Sequence, residues 1–216
     1  MLPIQSHTAI SNAALGKKAA VLHCIHDSEI NIATWQRSVS HLKNALEALL
    51  ETGISIRSTG TPAEILKVLG SYFDHLGPLK AGLIQDISDL LKTFQAVTQA
   101  NEFRVFMSTI ESNMCKRFHT DINSLRMLCT YSGKGTLWAA EFRGEGNAAL
   151  SRKEDGHVEP DPNCIQQAET GDVLILKGAL YPNGEAVMHR SPSIEAEGGV
   201  RLMLRIDTNE KLFDLA

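Results

Sequence analysis

The sequence predicts an α+β fold in which helices come first and strands second. Between Asn31 and Gln99 apolar residues recur every three or four positions, the stripe of amphipathic helices. Near Asn101 the apolar period falls to two and stays there, as in half-buried strands. Those strands are short and separated by turns rich in Gly, Pro and Asn, which favours a sandwich or barrel over a parallel βαβ sheet. The expected organisation is a helical layer over residues 1–100 and a β core over 101–216, built as one structural unit. With 43% hydrophobic residues in a chain of 216, such a unit can bury a core without disulfide staples.

Residues 1 to about 27 carry one short apolar run, Ala19-Ala20-Val21-Leu22, compatible with a strand or an extended lead-in. From Asn31 to Leu50 the positions Trp35, Val39, Leu42, Leu46 and Leu49 predict a first helix, which Gly53 is placed to stop. Thr61 has the features of an N-cap. Pro62 follows at the first helical position and Glu64 at the third, so a second helix begins there with Ile65, Leu66 and Leu69 on one face. His75-Leu76-Gly77-Pro78 breaks it. A third helix runs from about Leu79 to Gln99 and turns Leu83, Ile87, Leu90, Leu91, Phe94 and Val97 inward. Strands are then expected at Phe103–Met107, Leu125–Tyr131, Thr136–Trp138, Val173–Leu176, Ala186–His189 and Val200–Ile206. Residues 143–169 are poor in apolar side chains and hold Gly144, Gly146, Gly156, Pro160 and Pro162, the composition of a long loop over one mouth of the β core.

Twenty-one basic against 25 acidic residues give a formal charge of -4 and a pI near 6.1. No basic field is therefore available for nucleic acid or an anionic membrane surface, and a small molecule or a protein is the expected partner. No apolar run approaches the length of a membrane span, and the N-terminus has neither the charged start nor the apolar stretch of a signal peptide. Cys24, Cys115, Cys129 and Cys164 form no C-x-x-C pair, which fits a reducing, cytoplasmic location.

Two short strings carry metal-binding chemistry, Phe118-His119-Thr120-Asp121 and His189-Arg190-Ser191-Pro192. In extended backbone residues i and i+2 share a face, so His119 and Asp121 would converge on one spot, with His189 supplied by another strand. Two imidazoles and one carboxylate make the facial triad that holds non-haem Fe(II) with open coordination positions. The bland alternative is a surface His beside an acidic residue. Arg190 alternates away from His189 and is placed to brace a neighbouring carboxylate such as Glu141 and so hold the ligand strand. Cys115, four residues before His119, offers a thiolate that with imidazoles would favour Zn²⁺ in a closed tetrahedron.

The order of these features resembles that of the Fe(II)/2-oxoglutarate-dependent dioxygenases: His-x-Asp, strand, Gly-x-Thr-Leu turn, Gly-Asp before an apolar strand, a second His, then an Arg-bearing strand. The resemblance implies a double-stranded β-helix (jelly-roll, cupin-like) for the β core, Fe(II) and 2-oxoglutarate as cofactors, and a basic residue on the last strand for the far carboxylate of 2-oxoglutarate. Arg201 and Arg205 are the available positions, with Arg201 closer to His189, and a guanidinium matches a carboxylate in shape and charge. Arg201, Met203 and Arg205 share one face, and Val200, Leu202, Leu204 and Ile206 the other. The competing arrangement buries the aliphatic face and leaves both arginines in water. Tyr131 and Lys177 are secondary candidates for cofactor contact.

A closer resemblance rests on Cys115-x-x-Phe118-His119-x-Asp121, Leu125-Arg126, Thr130-Tyr131-x-Gly133-x-Gly135-Thr136, Leu176-Lys177-Gly178, His189-Arg190-Ser191-Pro192 and Arg201-Leu202-x-Leu204. These strings are similar to the bacterial family called domain of unknown function eighteen twenty-six, over roughly Ile30 to Asp207. Membership implies a common core holding the same histidines and aspartate, and for some relatives a link with zinc-limitation genes. The expected function is an Fe(II)/2-oxoglutarate-dependent dioxygenase, with a non-enzymatic zinc-binding or zinc-homeostasis protein on a cupin-like scaffold as the alternative.

Overall fold

A computed structural model describes residues 10, 12–141, 150–152 and 158–209. In chain order the elements are β1 (Ala13–Gly16), β2 (Ile32–Trp35), α1 (Lys43–Thr52), β3 (Ser55–Gly60), α2 (Pro62–Tyr72), α3 (Lys80–Thr98), β4 (Phe103–Ile110), β5 (Leu125–Ser132), β6 (Leu137–Ala139), β7 (Leu150–Arg152), β8 (Val158–Pro160), β9 (Ile165–Gln167), β10 (Val173–Lys177), β11 (His189–Arg190) and β12 (Arg201–Thr208). Seven strands make one sheet in the order β1-β2-β10-β5-β12-β4-β3, antiparallel except for the β1–β2 pair. A second sheet has the order β11-β6-β9, and β7 pairs with β8.

Alternation along the strands gives the large sheet two different faces. Phe103, Val105 and Met107 of β4, Leu125, Met127 and Cys129 of β5, and Leu202, Leu204 and Ile206 of β12 pack with the helices in one apolar core. The opposite face presents Phe106, Leu128, Leu174, Leu176 and Met203 to Trp138, Val187 and Ile194, so the two sheets enclose a second, smaller core. An ion pair ties the helical layer to the sheet. Asp86 of α3 accepts from both terminal nitrogens of Arg37, at 2.5 and 3.1 Å, and from the Tyr131 hydroxyl at 2.5 Å.

The second and third helices form where the sequence places them. Thr61 Oγ1 accepts from Glu64 N and Thr61 N donates to Glu64 Oε2, a complete capping box with Pro62 in the first turn. All six apolar residues of the α3 stripe are buried. The first helix is a correction. It begins at Lys43 after a short 3-10 turn, and Ile32–Trp35 is a strand. This strand lies between β1 and β10 with Ile32, Ala33 and Thr34 all buried. A strand covered on both faces has no alternation to betray it, and the spacing of Trp35 and Val39 continues the helical period by coincidence. Gly53 ends the helix as expected, with φ 64° and its N–H donated to Leu49 O.

Residues 1–100 are thus not solely helical, since β1, β2 and β3 all enter the large sheet. Ala19–His26 is a 3-10 helix, neither strand nor extended. Of the strand expected at Ala186–His189, only His189 pairs, together with Arg190. The predicted long loop contains β7, β8 and β9 in its described part; residues 142–149 and 153–157 lie outside the described residues. Among the described residues no helix is long and apolar enough to cross a membrane.

Candidate metal centre

His119 and His189 meet by backbone pairing. Each donates its N–H to the other's carbonyl, at 3.1 and 2.9 Å, which sets the imidazole rings 4.6 Å apart between centroids. His189 sits on β11 opposite Trp138 of β6, so the small sheet carries both histidines. Asp121 comes from the loop entering β5 and not from a strand. Its carbonyl accepts from Ala179 N at 2.8 Å, and the neighbouring Asn123 and Ser124 carbonyls accept from Leu180 and Gly178.

Both rings place Nδ1 against a main-chain carbonyl, His119 on Arg117 O at 3.0 Å and His189 on Val187 O at 3.2 Å. A carbonyl only accepts, so each Nδ1 carries a proton and Nε2 is the atom that can bind a cation on losing its own. Nε2 of His189 lies 3.3 Å from Asp121 Oδ2, and Nε2 of His119 lies 3.8 Å from Asp121 Oδ1. One ligand atom from each residue falls within 4.8 Å of the others, and no other such cluster occurs among the described residues. The Asp121 Oδ2 atom is buried without an aligned hydrogen-bond donor. Two imidazole lone pairs and an orphaned carboxylate oxygen converging on one point are acceptors that a divalent cation would satisfy together, so the residues fit a metal.

Arg126, which the sequence offers only within the Leu125-Arg126 string and with no role at the site, holds the Asp121 carboxylate in place. It reaches Asp121 Oδ1 with Nη1 at 2.5 Å and Asp207 with Nε at 2.6 Å and Nη2 at 3.3 Å. This fork aims the second carboxylate oxygen of Asp121 at the histidines. Burial opposes ionisation of the Asp121 carboxyl, but His189, Arg126 and His119 outweigh it and hold it below the usual range. Burial likewise opposes the Arg126 charge, and the two aspartates outweigh it. The available signal was alternation: Arg126 interrupts an apolar strand on the face opposite Leu125, Met127 and Cys129.

A cavity of about 60 Å³ adjoins the cluster and is lined by Cys115, His119, Arg126, His189, Met203 and Arg205, among others. Arg201 lies behind Met203. It is 1% exposed, donates to Thr130 Oγ1 at 3.2 Å, touches the Met203 sulfur at 4.0 Å, and has no partner for Nε or Nη1. Burial lowers its pKa to about 10. The aliphatic face of β12 is core, as the competing arrangement required, yet Arg201 meets buried surroundings and not water. Arg205 differs from it, with Nε 3.2 Å from Asp207 Oδ2 and its guanidinium 5.4 Å from the Phe106 ring centre.

Tyr131 and Lys177 are corrections, because both side chains point to the helical side of the sheet. Tyr131 shares its face with Cys129 and donates to Asp86. Lys177 donates to Asp27 O at 2.6 Å over the Tyr181 ring. Arg190 donates to the main-chain Lys116 O at 3.2 Å above the Phe118 ring, a carbonyl in place of the expected carboxylate contact. Cys115 is exposed on the cavity wall and stands outside the ligand cluster. Cys129 is buried in the helix-facing core, where burial pushes its thiol up to about 11.

No curated protein matches the chain. Among solved structures, a Pseudomonas putida prolyl-4-hydroxylase is similar at 13% identity, covering 88% of this chain and 96% of its own, with a TM-score of 0.48. An oxygenase candidate from Shewanella oneidensis follows at 11% identity, 91% and 89% coverage and a TM-score of 0.45. A Bacillus subtilis oxalate decarboxylase matches at 17% identity over 49% of this chain and 21% of its own, with a TM-score of 0.29. None of these likenesses bears on chemistry, which rests on the side chains above. The model of one family matches residues 16–207, and the chain belongs to that family, described as Protein of unknown function (DUF1826).

Proposed function

We propose that this protein is an Fe(II)- and 2-oxoglutarate-dependent dioxygenase on a double-stranded β-helix, with His119, Asp121 and His189 as metal ligands and a small molecule or protein as substrate. One observation carries the reading beyond metal binding: Arg201, a buried cation with no carboxylate partner among the described residues, lies against Met203 in the wall of the same cavity. A buried guanidinium with open donors is costly unless an anion completes it, and the far carboxylate of 2-oxoglutarate is such an anion. Arg201 suits this role better than Arg205, which already has Asp207 beside it.

When bound, Fe(II) and 2-oxoglutarate together supply O₂-dependent oxidation of a substrate C–H bond. The chain's own residues bind and orient. Backbone carbonyls hold both imidazoles by Nδ1, Arg126 fixes Asp121, and the apolar core between the sheets keeps bulk water from one side of the cluster. Met203 separates Arg201 from the cavity, and its flexible thioether side chain is suited to swing aside for a carboxylate. The donor set favours iron over structural zinc, since it closes with a carboxylate and leaves the Cys115 thiol outside.

The test is anaerobic titration of tag-free protein with Fe(II) and then 2-oxoglutarate. The expected result is a visible charge-transfer absorption in the wild type, lost in Asp121→Ala and requiring at least tenfold more 2-oxoglutarate in Arg201→Gln. Absence of the band from iron-replete wild type overturns the proposal. Stoichiometric zinc held equally well by Asp121→Ala would favour the zinc-binding alternative.

A further inference from the structure

On the same face of the large sheet, beyond Arg126, lies a second cavity of about 340 Å³ with Arg57, Arg104, Arg126, Arg205, Phe106 and Asp207 in its wall. Its size falls at the lower end of small-molecule sites. Strand register builds it. Arg57 of β3 stands opposite Phe106 of β4, and Phe106 stands opposite Arg205 of β12. In the adjacent row Arg104 of β4 faces Asp207 of β12, and Asp207 faces Arg126 of β5. Four guanidinium groups from four neighbouring strands therefore share one concave surface.

Their charges are not balanced. Arg126 is taken by Asp121 and Asp207, and Arg205 lies beside Asp207. Among the described residues, neither Arg57 nor Arg104 forms an ion pair. Arg104 donates one hydrogen bond, to Thr208 O at 3.4 Å, and its Nε is buried without a partner. Arg57 lies 4.4 Å from the Phe106 ring centre, on the ring that Arg205 also covers. Four cations against the carboxylates of Asp121 and Asp207 leave a surplus of two positive charges, in a chain whose formal charge is -4. Arg57 itself is exposed, but the Nε atoms of Arg104 and Arg205 are sealed from water without an aligned hydrogen-bond partner, and the Arg57 and Arg205 guanidinium groups stack on one phenyl ring.

We propose that this cavity holds the compact dianionic group of a small-molecule substrate, a phosphate monoester or a dicarboxylate, and presents the rest of that molecule to the metal centre. This assignment rests on the dioxygenase reading for what happens to the substrate, but not for the binding itself. Phe106, Arg126 and Arg205 line both cavities, so an anion on Arg57 and Arg104 lies one side chain away from the ligand cluster. Two unpaired guanidinium groups match a dianion in charge and in forked donor geometry.

The experiment is calorimetric titration of the full chain, stripped of metal with a chelator, at low ionic strength, with inorganic phosphate and separately with malonate. The wild type is expected to bind at least one of the two saturably, and the tighter probe identifies the source as phosphorylated or dicarboxylate. Arg57→Gln/Arg104→Gln should bind at least tenfold more weakly, and Arg57→Gln alone, on an exposed edge strand, about threefold more weakly with an unchanged melting temperature. Arg201→Gln should retain binding of the tighter probe within twofold. No saturable binding by wild type, wild-type affinity in the double variant, or loss of that binding in Arg201→Gln overturns the assignment. The Fe(II)–2-oxoglutarate absorption of the double variant is a separate readout and should persist. Its absence from the wild type would remove the dioxygenase reading and leave the anion site standing.

Discussion

Replacing Arg201 with Met should stabilise the metal-free protein while abolishing co-substrate binding. The guanidinium is 1% exposed, and burial lowers its pKa to about 10. Measured from the ordinary guanidinium value, at about 1.4 kcal/mol per pKa unit, the buried charge costs ~3 kcal/mol. The folded state binds the proton less tightly than the unfolded chain. The cost is therefore present in full below pH about 10 and fades only as pH rises toward the unfolded value. Losing the hydrogen bond to Thr130 returns about 1 kcal/mol, and an unbranched thioether fills most of the vacated volume. The net gain is ~2 kcal/mol, or about 4–8 °C in melting temperature for a chain of this size. Thermal denaturation of metal-free wild type and Arg201→Met at neutral pH measures the gain, and the anaerobic charge-transfer titration measures the loss. A variant that melts below the wild type and still develops the band would refute the argument that Arg201 is held for an anion.

Three further outcomes follow from the packing. Asp86→Ala leaves the Arg37 cation and the Tyr131 hydroxyl buried without their acceptor, and should cost about 3–5 kcal/mol in urea denaturation, with metal binding unchanged under native conditions. Thr61→Ala removes one half of the capping box on α2 and should lower stability by about 1 kcal/mol, seen as a shift in urea midpoint at constant slope. Gly133→Ala should destabilise by more than about 1 kcal/mol, because Gly133 has φ 82° and an added methyl would strike the Val200 carbonyl and the Arg201 side chain. That variant should also weaken the 2-oxoglutarate-dependent band by displacing Arg201, and an unaltered band would separate the glycine from the site.

The legible parts of this sequence were those in which one residue's neighbours in the chain are also its physical partners. The α2 capping box closes within four residues, and the α3 stripe repeats on one helix face, so both were readable from spacing. His119 and Asp121 were legible for the same reason, being two residues apart, although only His119 proved to pair with a strand. Ile32–Trp35 was not legible, because β10, its partner across the sheet, lies about 140 residues away and both of its faces are covered. Tyr131 and Lys177 were misplaced for a related reason. Alternation shows that two faces exist but not which one the helices will cover.

The sequence by itself determined a mixed fold of helices and strands, the helices α2 and α3 with their caps and stripes, and the identity of the two histidines and the aspartate as the candidate ligand set. Only the tertiary structure decided that these three converge, that Arg126 aims Asp121, and that Arg201 and not Arg205 is left without a carboxylate. It also set Arg57 and Arg104 in one cavity wall, where, among the described residues, neither forms an ion pair. The physical reason is that charge balance and desolvation depend on which groups share a space, and here those groups come from strands separated by up to 150 residues, whose register the pattern of any one strand does not contain.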